Sequence, residues 1–102
     1  MTRVEKHFLV EDDEYVRVTV QCLGDVLISI REYVRAGIVV RYSYQLLVGG
    51  EDVLRYDNAP HHPEVETHPH HRHRGGRVHP LHNPSLQAFL EEVTRILTAR
   101  QP

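Results

Sequence analysis

Tyr15-Val16-Arg17-Val18-Thr19-Val20-Gln21-Cys22 alternates without a break, with valine or cysteine at every even position and polar or aromatic residues at the odd ones. A period of two is the side-chain repeat of a strand with one face buried. Leu23-Gly24-Asp25 then reads as a turn, after which Val26, Ile28 and Ile30 resume the apolar set opposite Ser29 and Arg31. Arg35-Ala36-Gly37 marks a second turn, with Gly37 suited to positive φ. Residues 38–48 are apolar on much of both faces, which suits an interior strand. Gly49-Gly50-Glu51 makes a third turn, and residues 53–57 complete a fourth strand.

Pairing parity ties the strands together. Three-residue hairpin loops set Cys22 opposite Val26, Val34 opposite Ile38 and Val48 opposite Asp52. All even-numbered residues then share one face. Its rows are Val18 with Ile30 and Tyr42; Val20 with Ile28, Tyr44 and Tyr56; and Cys22 with Val26, Leu46 and Leu54. These are apolar cross-strand neighbours, and a one-residue slip in any hairpin would scatter them. On the odd-numbered face the same register sets Arg17 opposite Arg31 and Arg31 opposite Arg41, with Arg55 one strand further on.

The flanks complete the expectation. Asn83 can cap a helix, Pro84 suits its first turn, and Leu86, Phe89, Leu90, Val93, Ile96 and Leu97 form one apolar stripe. Glu91 and Arg95 pair on the wet side. Residues 1–13 read as a short helix from the spacing of Val4 and Phe8, with a first strand as the alternative, before the acidic break Glu11-Asp12-Asp13-Glu14. The fold class is α+β: a four-stranded antiparallel β-meander with a C-terminal helix packed on one face. The 102 residues make one domain. Its parts are an N-terminal segment (1–13), the meander (14–57), a histidine-rich loop (58–82) and the helix (83–99).

Composition narrows the class. Hydrophobic content of 40% and charged content of 25% fit a globular protein. No apolar run approaches a membrane span and no basic-then-apolar leader is present, so the expectation is cytoplasmic, with no membrane partner. The single cysteine, Cys22, excludes an internal disulfide and fits a reducing compartment. The formal charge of −2 argues against bulk attraction to nucleic acid. Protonating all nine histidines would carry it to about +7, so net charge is sensitive to pH near neutrality.

Six of the nine histidines crowd into residues 56–73: His61, His62, His68, His70, His71 and His73. Each imidazole has two nitrogens needing partners, so the segment cannot be packed as core. Pro60, Pro63 and Pro69 remove donors and favour extended backbone before them. Arg55-Tyr56-Asp57-Asn58-Ala59-Pro60-His61-His62-Pro63-Glu64, then Thr67, then Pro69-His70-His71-Arg72-His73, resembles the TumE family, small toxins of type II toxin–antitoxin pairs. That family's pattern runs Tyr-Asp-Asn-Ala-Pro-His-His-Pro, then Thr-Phe-Pro-His-His-Lys-His. This chain departs at His68, which replaces an apolar Phe, and at Arg72, which replaces Lys. The likeness extends over roughly residues 15–97. It implies a toxin that inhibits growth until a cognate antitoxin binds it, the antitoxin expected to be a helix-turn-helix DNA-binding protein.

The residues themselves suggest a target and a chemistry. Like charges opposite one another across strands are destabilising, so Arg17, Arg31 and Arg41, with Arg55, call for an anion. Phosphate matches the guanidinium fork, and Tyr15 and Tyr33 on the same face could stack bases, which points to RNA. RNA cleavage by 2′-hydroxyl attack needs a base, an acid and a cation. His61 or His62 with His70, His71 or His73, plus Arg55 or Arg72, supplies all three without a metal, and Asp57 could orient a histidine. The protein would then be ribonuclease-like. A rival reading is a non-enzymatic metal-binding or partner-binding module. There, His68, His70, His71 and His73 form two His-x-His pairs for zinc or nickel, aided by Asp57 or Glu64. The plainest reading leaves the arginines solvated and the loop structural, with His61 and His62 capping strand ends.

Overall fold

The even-numbered residues of the meander do share one face, although the turns that achieve this differ from those expected. The structure is a computed structural model that describes residues 2–10, 12–22 and 24–100. The elements are β1 (Thr2–Val10), β2 (Asp13–Gln21), β3 (Val26–Arg35), β4 (Ile38–Val48), β5 (Glu51–Asp57), β6 (His71–Arg74), β7 (Arg77–Pro80) and α1 (Leu86–Ala99). All strands lie in one sheet in chain order, each antiparallel to the next. The protein is α+β with an antiparallel sheet and a C-terminal helix, as the alternation and the apolar stripe indicate.

The four-strand count is corrected to seven among the described residues. The N-terminal segment is not a helix: β1 pairs along the whole of β2 and covers what would otherwise be a bare sheet edge. The histidine-rich segment is not all loop. Its second half, His71-Arg72-His73-Arg74, pairs with β5 and then turns back through Gly75-Gly76 into β7. Apolar alternation cannot reveal such a strand, because both of its faces are charged or imidazole-bearing.

The first expected turn includes Leu23, which lies outside the described residues. Its register holds: Val18 pairs with Ile30, Val20 with Ile28, and Cys22 N–H donates to Val26 O at 2.9 Å. The next two hairpins use two-residue turns, not three-residue loops. Ala36 and Gly37 have φ of 50° and 78°, and Gly49 and Gly50 have 60° and 81°, the positive-φ pair of a type I′ turn. A two-residue turn inverts parity relative to a three-residue loop. A bulge beside each turn inverts it back: Val40 is the extra residue in β4 and Val53 the extra one in β5. The β4–β5 pairs therefore match expectation, Tyr44 with Tyr56 and Leu46 with Leu54. The β3–β4 pairs sit two residues away from it. Ile30 meets Tyr44 rather than Tyr42, and Arg31 meets Ser43 rather than Arg41.

The core lies between the even face and α1. Ile28, Tyr44, Leu46, Leu54 and Tyr56 pack with Phe89, Val93 and Ile96, and Leu46, Leu54 and Phe89 are fully buried. The Phe89 ring centroid lies 5.3 Å from that of Tyr56 and 5.7 Å from that of Tyr44. Ser85, not Asn83, caps the helix, its Oγ accepting from Ala88 N–H at 3.0 Å. Leu90, expected in the stripe, is exposed, while Glu92 is buried. Burial alone would push the Glu92 carboxyl up, but hydrogen bonds from Arg72 and Tyr56 and the Arg72 and Arg74 charges hold it below the ordinary range.

Candidate functional site

The odd-numbered face, away from α1, carries three cross-strand rows. Tyr15 pairs with Tyr33, and Tyr33 with Arg41. Arg17 pairs with Arg31, then Ser43, Asp57 and His71 follow in line. Thr19, Ser29, Gln45, Arg55 and His73 form the third row. Arg17, Arg31 and Arg41 thus lie on one side of the sheet, with Arg41 diagonal to Arg31 instead of facing it. Among the described residues, neither Arg31 nor Arg41 forms an ion pair, and both are exposed. A cleft of about 270 Å³ opens here, its lining including Tyr15, Arg31, Glu32, Tyr33, Arg41 and Asp57. Tyr33 is fixed from its far end, its hydroxyl donating to Asp13 Oδ2 at 2.8 Å.

The second and third rows end in a buried polar cluster. Asp57 is the last residue of β5 and is buried. Its Oδ1 accepts from Ala59 N–H at 3.0 Å, an Asx turn that starts the loop. The same oxygen lies 2.8 Å from His71 Nε2, and Oδ2 lies 3.8 Å from His73 Nε2. Arg55 Nε is 3.1 Å from Oδ2, an ion pair not aligned as a hydrogen bond. His71 is almost wholly enclosed, and its Nδ1 donates to Pro69 O at 2.9 Å. His62 swings in from the loop, its Nδ1 3.2 Å from Glu64 Oε2. The rings of His62, His71 and His73 meet edge to face with centroids 4.8 to 5.4 Å apart. One ligand atom from each of the three lies within 4.8 Å of the others. Burial, aided by the Arg55 and His71 charges, holds His73 below the usual imidazole value, favouring its neutral form.

The loop between β5 and β6 is held by side chains acting as backbone. Asn58 Nδ2 donates to Val40 O, and its Oδ1 accepts from Tyr42 N–H, both at 3.0 Å. The amide thereby continues the ladder one step past the end of β5 and caps the bulged carbonyl of Val40. Thr67 Oγ1 donates to His70 O at 2.7 Å and accepts from Leu81 N–H at 2.8 Å, joining the loop to the chain after β7.

Of the expected site residues, Asp57, His62, His71, His73 and Arg55 come together, with Arg17 and Arg31 in the same row as Asp57 and Arg41 in the next. The others do not join them. His70 is even-numbered and its Nδ1 lies 2.8 Å from the Tyr42 hydroxyl, outside the cluster. His61 and His68 are exposed and outside it. The four-histidine set His68, His70, His71 and His73 is thus not assembled; His62 stands where His68 and His70 were expected. Arg72 turns to the helix side, where its Nε reaches both Glu92 oxygens at 3.0 Å. Tyr56 hydroxyl donates to the same carboxylate. Glu92 is a structural acid that lies outside the expected set. Its signal lay in the helix stripe, because residue 92 falls between Phe89, Val93 and Ile96 on the buried side.

No helix among the described residues is long and apolar enough to cross a membrane. Compared with known proteins, the chain matches the family model described as Toxin TumE over residues 2–101. No curated protein and no solved structure matches it.

Proposed function

The chain belongs to the TumE toxin family, and on that footing we propose that it inhibits growth by binding RNA across the odd-numbered sheet face and cutting it at the His62, His71, His73 and Asp57 cluster. The carrying observation is the single row from Arg17 and Arg31 through Ser43 to Asp57 and His71. At ~4.8 Å per strand the row is about 19 Å long, a span of a few nucleotides. Guanidiniums along it offer phosphate contacts, and the Tyr15 and Tyr33 rings beside Arg41 offer stacking surfaces for bases. A strand bound this way brings a phosphodiester to the imidazole end of the row, beside Arg55, which can offset the added charge of a five-coordinate phosphate. The family implies a cognate antitoxin. By resemblance that partner is a helix-turn-helix DNA-binding protein, and binding of any protein over this face would block the RNA site.

The reading is tested with the purified protein, single-stranded RNA and two variants. Arg31→Ala combined with Arg41→Ala should weaken RNA binding and relieve growth inhibition. His73→Ala should abolish cleavage while retaining binding. RNA binding and toxicity unchanged by the double arginine variant would remove the RNA reading and leave family membership untouched.

A further inference from the structure

We propose that His62, His71 and His73, beside the Asp57 carboxylate, form a three-histidine binding site for one divalent transition-metal ion of the zinc class. This deepens the proposed function by naming the ion at its reacting centre, yet it rests on donor geometry that needs no RNA.

The argument starts at His71. Its Nδ1 faces Pro69 O and its Nε2 faces Asp57 Oδ1. A carbonyl oxygen can only accept, so the ring proton belongs on Nδ1. The Nε2 lone pair then points at a carboxylate oxygen 2.8 Å away. Two lone pairs at that distance repel unless a second proton lies between them or a cation is bound to one side of them. The surroundings favour the metal. Two more imidazoles converge on the same spot, each donor atom within 4.8 Å of the others. His73 Nε2 is buried without a hydrogen-bond partner among the described residues, 3.8 Å from Asp57 Oδ2. A buried ring nitrogen left without a partner is costly, and coordination would satisfy it.

The outer contacts are those that metal-bound histidines use. His71 gives its Nδ1–H to a backbone carbonyl, and His62 offers its Nδ1 to Glu64. Such contacts fix the tautomer and leave Nε2 for the ion. Asp57 faces both Arg55 and the triad, its Oδ2 3.1 Å from Arg55 Nε and 3.8 Å from His73 Nε2, so its charge would be shared between the guanidinium and the ion. Bonds of about 2.1 Å in a tetrahedral site put ligand atoms about 3.4 Å apart, so the three imidazoles, now within 4.8 Å of one another, would close inward by roughly an ångström and His71 Nε2 would draw away from Asp57 Oδ1. Three imidazoles suit zinc, cobalt or nickel rather than magnesium or calcium, and leave a fourth position open. Bound there, the ion would offer a Lewis acid and a water of lowered pKa where the phosphodiester is expected.

The test titrates the full-length protein, first stripped with chelator, with Co²⁺ followed by Zn²⁺ in competition. Expected are one equivalent bound, visible ligand-field bands of tetrahedral cobalt, and displacement by zinc. His62→Ala and His73→Ala, both only partly buried, should each weaken binding roughly tenfold or more. His61→Ala, His68→Ala and His82→Ala should leave it unchanged. His73→Gln, with folding checked by circular dichroism, covers the case in which His73→Ala fails to fold. Binding that survives loss of His62 and His73, or that falls with the exposed histidines, would overturn the site. RNA cleavage in the same samples separates the two proposals. Cleavage persisting in chelator without bound metal sinks the ion and keeps the RNA reading. One tightly bound ion with no RNA cut does the reverse.

Discussion

Asp57 and His71 stand directly opposite one another at the ends of β5 and β6, with Oδ1 2.8 Å from Nε2 and both side chains buried. The carboxylate also accepts from Ala59 N–H and pairs with Arg55. Asp57→Ala should therefore cost about 1–3 kcal/mol, because it strands a buried donor and leaves His71 unmatched. Asp57→Asn should recover part of that, since an amide oxygen can still accept from Ala59. Urea unfolding of both variants measures it. An alanine variant within about 0.5 kcal/mol of the parent would show that the carboxylate holds nothing.

Arg31 is exposed and lies across from Arg17 on the neighbouring strand. Arg31→Ala should leave stability unchanged or slightly raised, because like charges opposite one another repel. If Arg31 meets a phosphate, the variant should lower the slope of log affinity for single-stranded RNA against log salt by about 0.7. Fluorescence anisotropy at several salt concentrations reads the slope. An unaltered slope places the phosphate elsewhere.

Glu92 predicts the acid limit of stability. Its carboxyl is held below the ordinary range in the folded protein. Stability from it is thus fully present above the unfolded value of about 4.3 and is lost as pH falls through the lower folded value. Glu92→Gln should flatten stability against pH below about 4.5. At neutral pH it should cost on the order of 2–4 kcal/mol, since Arg72 and the Tyr56 hydroxyl lose a charged acceptor. Chemical unfolding from pH 3 to 7 checks both statements, and parallel curves for parent and variant would contradict them.

Asn58 bridges Val40 O and Tyr42 N–H across the bulge. Asn58→Ala should cost about 1–2 kcal/mol, with amide exchange accelerated at Tyr42. Asn58→Asp keeps the acceptor for Tyr42 but sets an oxygen against Val40 O, so its loss should be at least as large. Hydrogen exchange that is unchanged at Tyr42 would mean that the side chain is not the ladder's last rung.

The legible part of the fold was the part written in apolar alternation. Val16, Val18 and Val20 announced a strand, and the even face followed from turn parity. The turns are shorter than the spacing suggests, yet the parity holds, because the bulges at Val40 and Val53 each compensate a shorter turn. A bulge has no apolar signature, so the two-residue displacement that parts Arg31 from Arg41 could not be read. Strand β6 is hidden for a different reason: its helix side is filled by Arg72 and Arg74 reaching Glu92, a partnership between residues far apart in sequence. At the site, the odd-even rule divides His70 from His71, which adjacency in the motif conceals. His62 joins the triad through the course of an irregular loop, which no periodicity describes.

Strand β6 carries its two clients on opposite sides. Arg72 reaches down to the helix carboxylate, while His71 and His73 lie on the opposite, odd-numbered side. Four residues leave no slack to absorb a shift, so the strand acts as a lever pinned from below. Pressure on the middle of the helix, at Glu92, should tilt the imidazoles without anything touching them. A neutralising protein gripping that helix could disarm the polar surface from behind.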